Sequence, residues 1–357
     1  MNPDIRPIPV PVALGNPASV EFEAFAALAE ALEVEVHGND ELSFGADELL
    51  VFYGDERYTI RRAFGAWDGD RLVGVANVVW ELDPDTTTSF STILGVSPEL
   101  RRRGIASRLL AALERTAREA GKPNLVLRGD HRIDRGEPAA ARLRPPQGDA
   151  SISADEPAAR FALAHGYRLG QLDRMSAMPV TGRADEFRER LARNETSSPG
   201  YRLVTWHDRT PHELLDAMAH ARERMSVDAP SGAIDFEQET WDADRIRAEE
   251  RDALDAGRRT ITTAAIAHDG EVAGYTQLLL APRKRVAYQD DTIVLGDHRG
   301  HGLGMRMKLA NLVELAHAAP DRERVLTWNA DENAHMLAIN IALGFEPVAV
   351  DSSWQKG

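Results

Sequence analysis

The period of the hydrophobic pattern changes several times along the chain, and the same order of changes occurs in both halves. In the first half, alternating apolar positions over 63–67 and 71–79 flank the turn residues 68–70 and predict a β-hairpin. In the second half, residues 262–267 and 271–280 flank a similar turn. The pattern therefore indicates an internal repeat that begins with a hairpin.

Each hairpin is followed by a further strand, a turn rich in Arg or Gly, and a long amphipathic helix. These strands are predicted over 89–96 and 292–295, and the helices over 105–120 and 303–318. Another strand follows each helix, and each half closes with a helix that ends in Gly plus an aromatic residue. The order βαββαβαβ thus occurs twice, which predicts an α/β (α+β) protein.

A polar stretch separates the two halves. Residues 181–194 are predicted to form a short charged helix, and 195–200 have the composition of a linker. Residues 129–154, rich in Arg, Pro and Ala, lack an apolar period and are predicted to have no regular structure. We therefore predict an N-terminal domain over 1–180, a linker over 181–200 and a C-terminal domain over 201–357.

The two turns between strand and helix carry the most specific signal. Residues 101–106 read Arg-Arg-Arg-Gly-Ile-Ala, residues 299–304 read Arg-Gly-His-Gly-Leu-Gly, and each turn has a Val five residues before its first Arg. Glycine permits a backbone of positive φ and a close approach of a ligand. The first N–H groups of the following helix lie unpaired at the positive end of its dipole. Such a turn suits a pyrophosphate.

These turns resemble the Arg-x-x-Gly-x-Gly/Ala turn of the GNAT N-acetyltransferase superfamily, and the resemblance covers both halves. It implies two GNAT folds in tandem, each a mixed, mostly antiparallel sheet flanked by helices, with acetyl-CoA or another acyl-CoA as co-substrate. The strands before the turns would pair with the pantetheine arm at Leu94 and Val96 and at Thr292 and Val294. The turns would hold the pyrophosphate at Arg101, Arg102, Arg103, Gly104, Ile105 and Ala106, and at Arg299, Gly300, His301, Gly302, Leu303 and Gly304.

The family's second signature, Asn-x-x-Ala-x-x-Leu-Tyr-x-x-x-Gly-Phe on the last helix, is present only in part. In the second half, Asn333 matches the residue that holds the pantetheine arm, whereas Asn340 occupies the Tyr position. In the first half, Asp155 and Ala162 occupy these two positions. The second half keeps more of the pattern, so we predict a catalytic C-terminal domain and a degenerate N-terminal domain that stabilises it or shapes the pocket.

Acetylation of an amine requires a base, a donor to the oxyanion and stabilisation of the leaving thiolate. Asp290 and Asp291 are candidate bases, because side-chain alternation along the strand directs one of them towards the cleft. A solvated turn is the alternative explanation for this pair. Without the family's Tyr, the thiolate would leave unassisted or take a proton from Tyr288, His335 or water, and the sequence does not choose among these.

The resemblance implies an acceptor pocket lined by the first two helices of the second half, predicted over 211–225 and 241–256. The acids of the segment between these helices would receive a cationic amine, although a capped and solvated loop explains them equally well. The candidate substrate-binding residues are Met225, Asp228, Asp235 and Glu237.

Composition excludes several classes of mechanism and partner. The 357 residues include no Cys, which excludes a thiol nucleophile and a Cys-ligated zinc site, so acyl transfer would be direct or would use a different nucleophile. A net charge of −15 disfavours nucleic acid and is compatible with a cationic substrate. With no metal-binding His motif, membrane-length apolar run or signal peptide apparent, we expect a bacterial, cytoplasmic protein, monomeric or homodimeric, without metal, nucleic acid or membrane.

Three functions remain open at this point. The first is transfer of an acetyl group from acetyl-CoA to the primary amine of a small, cationic metabolite or antibiotic. The second is a non-catalytic acyl-CoA-binding protein, which the missing Tyr favours. The third is acetylation of peptide or protein amines across both domains.

Overall fold

A computed structural model describes the chain in two compact units. The described residues are 3–133, 141–194, 198–228, 230, 232–234 and 237–356. The first unit comprises Met1–Asp173, Ser231–Glu237 and Ala349–Gly357, and the second comprises Arg174–Pro230 and Gln238–Val348. None of the helices within these described ranges is long and apolar enough to cross a membrane.

The first unit contains one mixed sheet and the helices packed on it. Its helices are α1 (Val20–His37), α2 (Ala46–Gly54), α3 (Ile105–Glu119) and α4 (Pro157–Ala164). Its strands are β1 (Asp4–Ile8), β2 (Thr59–Asp68), β3 (Arg71–Glu81), β4 (Thr88–Ser91), β5 (Leu94–Val96), β6 (Asn124–Arg132), β7 (Arg142–Leu143), β8 (Ile152–Ser153) and the first part of β9 (Tyr167–Pro179).

Most strand pairs in the first unit are antiparallel. The sheet runs β1-β2-β3-β4-β6, and β6 then pairs with the end of the last strand of the chain, β15 (Glu346–Lys356). Strand β5 pairs with β3, only β4 and β6 among the described pairs of this unit are parallel, and β7 and β8 form a separate small ribbon. Helix α3 packs on the sheet through Leu109, Leu113 and Ala117, which are fully buried because their helical spacing places them on one face.

The second unit repeats this architecture. Its helices are α5 (Ala184–Asn194), α6 (Leu215–Asp228), α7 (Ala243–Asp255), α8 (Leu303–Ala318) and α9 (Ala334–Leu343). Its further strands are β10 (Tyr201–His207), β11 (Arg259–Ala267), β12 (Val272–Leu280), β13 (Val286–Val294) and β14 (Arg324–Ala330). The strand order is β9-β14-β13-β12-β11-β10, with β13 and β14 parallel.

The predicted fold class is confirmed, since both hairpins and both long helices are present in mixed sheets. Some boundaries differ. Strand β13 begins at Val286, six residues before its predicted start, because Val286 and Ala287 are buried between two neighbouring strands. The predicted strand over 89–96 is divided into β4 and β5.

The prediction that 129–154 has no regular structure is wrong for part of this segment. Strand β6 continues to Arg132, and β7 and β8 lie further on, whereas residues 134–140 lie outside the described part of the chain. The reason is the pairing of β6 with β15, which runs from Ala349↔Arg132 to Gln355↔Val126. A partner more than 200 residues away leaves no local sequence pattern.

Two segments belong to a different unit from the one that the predicted boundaries give them. Residues 349–357, placed in the C-terminal domain from the sequence, belong to the first unit, whereas 174–180 belong to the second. The segment 181–200, predicted as a linker, includes α5, whose Phe187 is fully buried in the core of the second unit. Residues 195–197 lie outside the described ranges.

Trp354 is expected to contribute strongly to the stability of the first unit. Its side chain is 1% exposed within the main core of that unit, and its Nε1 donates to Ser352 Oγ at 2.7 Å. Trp354→Ala should lower the free energy of unfolding by about 3–5 kcal/mol, measured by urea denaturation. Lys356→Ala, at an exposed ion pair with Glu114, is the control and should cost less than about 1 kcal/mol. Equal losses for the two variants would contradict this assignment.

Candidate functional site

The two Arg/Gly turns have the same backbone geometry. In the first unit, Arg102 and Gly104 are left-handed, with φ of 63° and 78°, and in the second unit Gly300 and Gly302 occupy the same positions with φ of 84° and 69°. Gly104 and Gly302 are the N-caps of α3 and α8, and neither helix start has a side-chain cap. A Cβ at Gly300 would meet nothing within 4 Å. Each turn therefore directs uncapped helical N–H groups into open space, which fits a pyrophosphate.

The first arginine of each turn is directed back onto the strand before it. Arg101 Nε donates to Val96 O at 3.0 Å, and Arg299 Nε donates to Val294 O at 3.1 Å. This contact explains the five-residue spacing between Val and Arg seen in the sequence. In both units this arginine fixes the turn to the strand. The backbone N–H groups are therefore left as the main hydrogen-bond donors to a bound anion.

In each unit, an acidic residue of the first long helix also binds the first arginine of the turn. Glu35 of α1 accepts two hydrogen bonds from Arg101, at 2.7 and 2.5 Å. Asp228 at the end of α6 accepts from Arg299 Nη2 at 3.3 Å and also pairs with Arg224. The charge of Asp228, which the sequence suggested for the acceptor amine, is thus engaged in holding the turn.

Two other acceptor candidates lie elsewhere. Glu237 is part of the first unit, which corrects its predicted place in the second. Its carboxylate accepts from Thr87 N and Oγ1 at 2.6 Å each and from Thr88 N at 3.1 Å, so it caps the start of β4. Met225 is half-buried against an apolar core cluster of the second unit. Asp235 lies outside the described residues.

The central parallel strands of each unit separate part-way along their length. In the first unit the register of β4 with β6 ends at Ser91↔Leu127, and in the second unit that of β13 with β14 ends at Gln289↔Thr327. Beyond these points the chain is paired on one edge only: β5 pairs with β3 in the first unit, and the end of β13 pairs with β12 in the second. Each sheet therefore has a V-shaped opening that leads towards the phosphate turn.

The four predicted pantetheine contacts lie along these openings. Leu94 and Val96 pair with β3, and Thr292 and Val294 pair with β12, so their opposite edges face the separated strand. An extended arm with amide groups can pair with such an edge in the manner of a β-strand.

The two units differ in whether a side chain caps the backbone N–H groups at the opening of the sheet. In the second unit, Asp290 and Asp291 lie opposite the single residue Gln277, because the register passes from Leu278↔Gln289 to Thr276↔Thr292. Gln277 is directed away from the bulge: its Nε2 donates to Thr262 Oγ1 at 2.8 Å, and its Oε1 accepts from Arg222 Nη2 at 3.3 Å. This side chain therefore does not cap the N–H groups of the bulge.

In the first unit, the equivalent side chain closes the bulge. Asn77 Oδ1 accepts from the backbone N–H of Thr92 at 3.0 Å and from that of Ile93 at 2.9 Å. Asn77 Nδ2 donates to Tyr53 OH at 3.2 Å. The N–H groups that would stabilise an oxyanion are thus occupied in the first unit.

Acidic side chains of the second unit cluster around its bulge. Asp290 is exposed by its accessible surface. Desolvation by the surrounding protein nevertheless raises the pKa of its carboxyl to about 7, the charge of Asp291 raises this pKa further, and Arg222 opposes the rise. Desolvation by nearby protein also raises the pKa of Glu249 on α7, against the effect of Arg222, although the Glu249 side chain is 45% exposed. Acids that water reaches but does not fully hydrate are typical of a cleft wall.

Neighbouring groups hold this cluster in place. Tyr275 OH donates to Asp291 Oδ2 at 2.5 Å. Arg222 Nη1 donates to Glu249 Oε2 at 3.1 Å, and the guanidinium lies 4.9 Å from the ring centre of Trp241. Arg245 acts on Glu249 and Arg258 acts on Asp290 in the same direction as Arg222, so the acids of the cluster are partly balanced by positive charge. Four side chains of this cluster were not identified from the sequence: Arg222, Glu249, Trp241 and Tyr275. The polar residues of the two predicted pocket helices were a usable signal for Arg222 and Glu249.

The remaining candidates lie on β13 and α9. Tyr288 is half-buried, and its ring centre is 6.3 Å from that of Trp328. His335 is exposed on α9. Asn333 caps α9 by accepting from Met336 N at 3.1 Å. The roles of Tyr288 and His335 in protonating the thiolate stay predictions.

Asn340, at the position of the family's Tyr, is oriented by a second amide. It is 3% exposed, and its Nδ2 donates to Asn329 Oδ1 at 2.5 Å. Its Oδ1 is buried without a hydrogen-bond partner among the described residues. The side chain has no ionisable proton, so it can position groups here but cannot act as a general acid.

The repeated fold, the V-shaped openings and the phosphate turns define this chain as an acyltransferase of the coenzyme A-dependent class. The model of the acetyltransferase (GNAT) family matches residues 29–140 and 223–345. The chain therefore belongs to the GNAT acetyltransferase family, with one such domain in each half.

Solved structures support the tandem organisation. A tandem GNAT protein from the clavulanic acid biosynthesis pathway, solved without AcCoA, is 24% identical, with a TM-score of 0.71 over 99% of this chain and 97% of that chain. A GCN5-related N-acetyltransferase from Sphaerobacter thermophilus is 14% identical, with a TM-score of 0.57 over 96% and 93%. At these identities the likeness concerns the fold alone. Comparison with curated proteins gave no match.

Proposed function

We propose that the second unit transfers an acetyl group from acetyl-CoA directly to the primary amine of a small, cationic metabolite or antibiotic. The observation that carries the proposal is the carboxylate cluster of Asp290, Asp291 and Glu249 around Arg222. Two of these acids lie in the bulge of β13, the strand that leads into the phosphate turn. Carboxylates at this place can pair with the charge of a cationic acceptor.

The residues of the second unit fit coenzyme A. The left-handed Gly300 and Gly302 leave room for a pyrophosphate at the start of α8, and the opened edge of β13 fits the pantetheine arm. When bound, acetyl-CoA supplies the acyl group as a thioester. The absence of Cys from the sequence excludes a thiol intermediate on the protein.

The groups around the bulge can perform the proton transfer that amine acetylation needs. An amine is protonated at neutral pH and is a nucleophile only after it loses a proton. With a pKa of about 7, Asp290 can accept that proton directly or through water. Asp291 is held beside Asp290 by the hydrogen bond from Tyr275 OH, and N–H groups of the bulge that Gln277 does not cap could stabilise an oxyanion.

The first unit shares the phosphate turn but not the reactive groups. Thr92 and Ile93 replace the two aspartates, and Asn77 occupies their N–H groups. Helix α1 also packs directly on β5, where a Cβ at Gly95 would clash with Leu32. These contacts support a binding or stabilising role for this unit without catalysis.

Matched substitutions in the two turns test which unit works. His301 and Arg103 are exposed and directly precede the N-cap Gly of each helix. Because a carboxylate there repels a pyrophosphate, His301→Asp should weaken acetyl-CoA binding and lower the rate of thiol release with a panel of polyamines and aminoglycosides by about tenfold or more. Arg103→Asp should leave that rate unchanged. Calorimetry with acetyl-CoA counts the sites in each variant.

The other outcomes exclude the proposal in different ways. Acetyl-CoA binding without amine-dependent thiol release would indicate a non-catalytic acyl-CoA-binding protein. A clear preference for peptide amines would indicate a protein acetyltransferase. Loss of activity in Arg103→Asp but not in His301→Asp would place catalysis in the first unit.

A further inference from the structure

A second polar cluster lies in the first unit, at the C-terminal end of α1. Glu33 and His37 are one helical turn apart, and Asp130 belongs to β6. His37 Nε2 lies 3.5 Å from Glu33 Oε2 and 3.6 Å from Asp130 Oδ2. One potential ligand atom from each of the three side chains lies within 4.8 Å of the other two. No other group of His, Asp and Glu within the described ranges is arranged this closely.

The cluster contains buried polar atoms that lack hydrogen bonds. The side chain of His37 is 8% exposed. Its Nε2 and Glu33 Oε2 are shielded from water and have no hydrogen-bond partner among the described residues. A buried polar atom without a partner destabilises the folded protein, because it has lost its hydrogen bonds to water. Two such atoms directed at the same small volume indicate a ligand that both of them bind.

Asp351 supports the cluster from the neighbouring strand. It lies directly opposite Asp130 in the pairing of β15 with β6 and is 8% exposed. Outer groups of this kind orient metal ligands.

The distances fit a single small metal ion. Ligand atoms at about 2.0–2.2 Å from a tetrahedral Zn²⁺ are about 3.3–3.6 Å apart, which matches the 3.5 and 3.6 Å found around His37 Nε2. One imidazole and two carboxylates are ligands that Zn²⁺ binds well, whereas Mg²⁺ prefers an octahedron of oxygens. A water molecule can complete the four positions.

We propose that the first unit binds one divalent transition-metal ion, Zn²⁺ by preference, through Glu33 Oε2, His37 Nε2 and Asp130 Oδ2. The site is structural: Arg132 donates to Glu35 O at 2.6 Å and to Val36 O at 2.5 Å, so an ion would strengthen an existing connection between α1 and β6. It does not depend on the proposed acetyl transfer.

The test is titration of the chelator-treated full chain with ZnCl₂ by calorimetry and thermal denaturation. We expect one site with a Kd below about 10 µM, an increase in Tm, and a much weaker response to MgCl₂. Glu33→Gln and His37→Gln should each weaken Zn²⁺ binding at least about tenfold. Glu119→Gln, an exposed acid on α3, is the matched control and should bind as the parent does. CoCl₂ should give the visible absorption of four-coordinate Co²⁺.

Two results would overturn the proposal. One is the lack of a single site in the parent protein at about 10 µM Zn²⁺. The other is binding that persists unchanged in both variants, which would place the ion elsewhere. Because Glu33 Oε2 has no hydrogen bond without metal, Glu33→Gln should fold at least as stably as the metal-free parent and decides the test if His37→Gln does not fold.

Discussion

Replacing Asp290 with Asn is expected to lower kcat/KM for amine acetylation by about 10²–10⁴-fold, the range that general bases contribute. The amide keeps the shape of the side chain but cannot accept a proton. In the parent enzyme, kcat/KM should rise with pH and level off above about 7, since the pKa of Asp290 is raised to about 7 and only its ionised form is a base. Initial rates of thiol release between pH 5.5 and 9 would show both effects.

Two further variants separate catalysis from general electrostatics. Asp255→Asn changes an exposed acid at the end of α7 and should leave the rate and its pH dependence as they are. Asp291→Asn removes the negative charge that raises the pKa of Asp290, so the rise in rate should move to lower pH. A pH profile of Asp290→Asn that matched the parent's would mean that another group accepts the proton.

Replacing Lys308 with Met is expected to raise the free energy of unfolding at pH 7 by roughly 4 kcal/mol, because each unit by which burial lowers the pKa of a lysine corresponds to about 1.4 kcal/mol. Lys308 lies on α8 and is 1% exposed, and burial lowers its pKa to about 7. The equivalent position on α3 is Leu110, also buried, so this place in the fold accepts an apolar side chain. The ammonium therefore loses hydration on folding without a structural need for it.

The contribution of Lys308 to the free energy of unfolding depends on pH. Between about pH 7 and the ordinary lysine pKa near 10.4, the unfolded chain binds a proton at Lys308 that the folded chain does not. The parent should therefore gain about 1.4 kcal/mol of stability per pH unit from this residue, and Lys308→Met should lose that slope. Urea denaturation at several pH values measures it. Lys284→Met is the control, and the same slope in Lys308→Met as in the parent would show that Lys308 keeps its proton.

Local features of the fold were predictable from the sequence. The hairpins, the two long helices and the phosphate turns each depend on residues within about 20 positions of one another, where periodicity and turn residues act directly. The pairing of Arg101 with Val96, and of Arg299 with Val294, is also local and explains a spacing already visible in the sequence.

Features that join distant segments were not predictable in the same way. The bulge at Asp290 follows from its register with β12, and its acidity depends on Arg222 and Glu249 from two other helices. Glu237 follows the second unit's first helix in sequence, yet it caps a strand of the first unit. Likewise, Glu33 and His37 are an ordinary helical pair until Asp130 is brought beside them.

The place of residues 349–357 in the first unit bears on the order of events during translation. Domains commonly fold as they emerge from the ribosome, beginning at the N-terminus. Here β6 cannot pair with β15 until the segment that follows Val348 has emerged, although the rest of its sheet ends at residue 173. At about 5–20 residues per second this is a delay of roughly 10–35 s, during which β6 is an open edge that other chains can pair with. The edge of β6 is therefore open to mispairing for longer during synthesis than it would be if the first unit ended at residue 173.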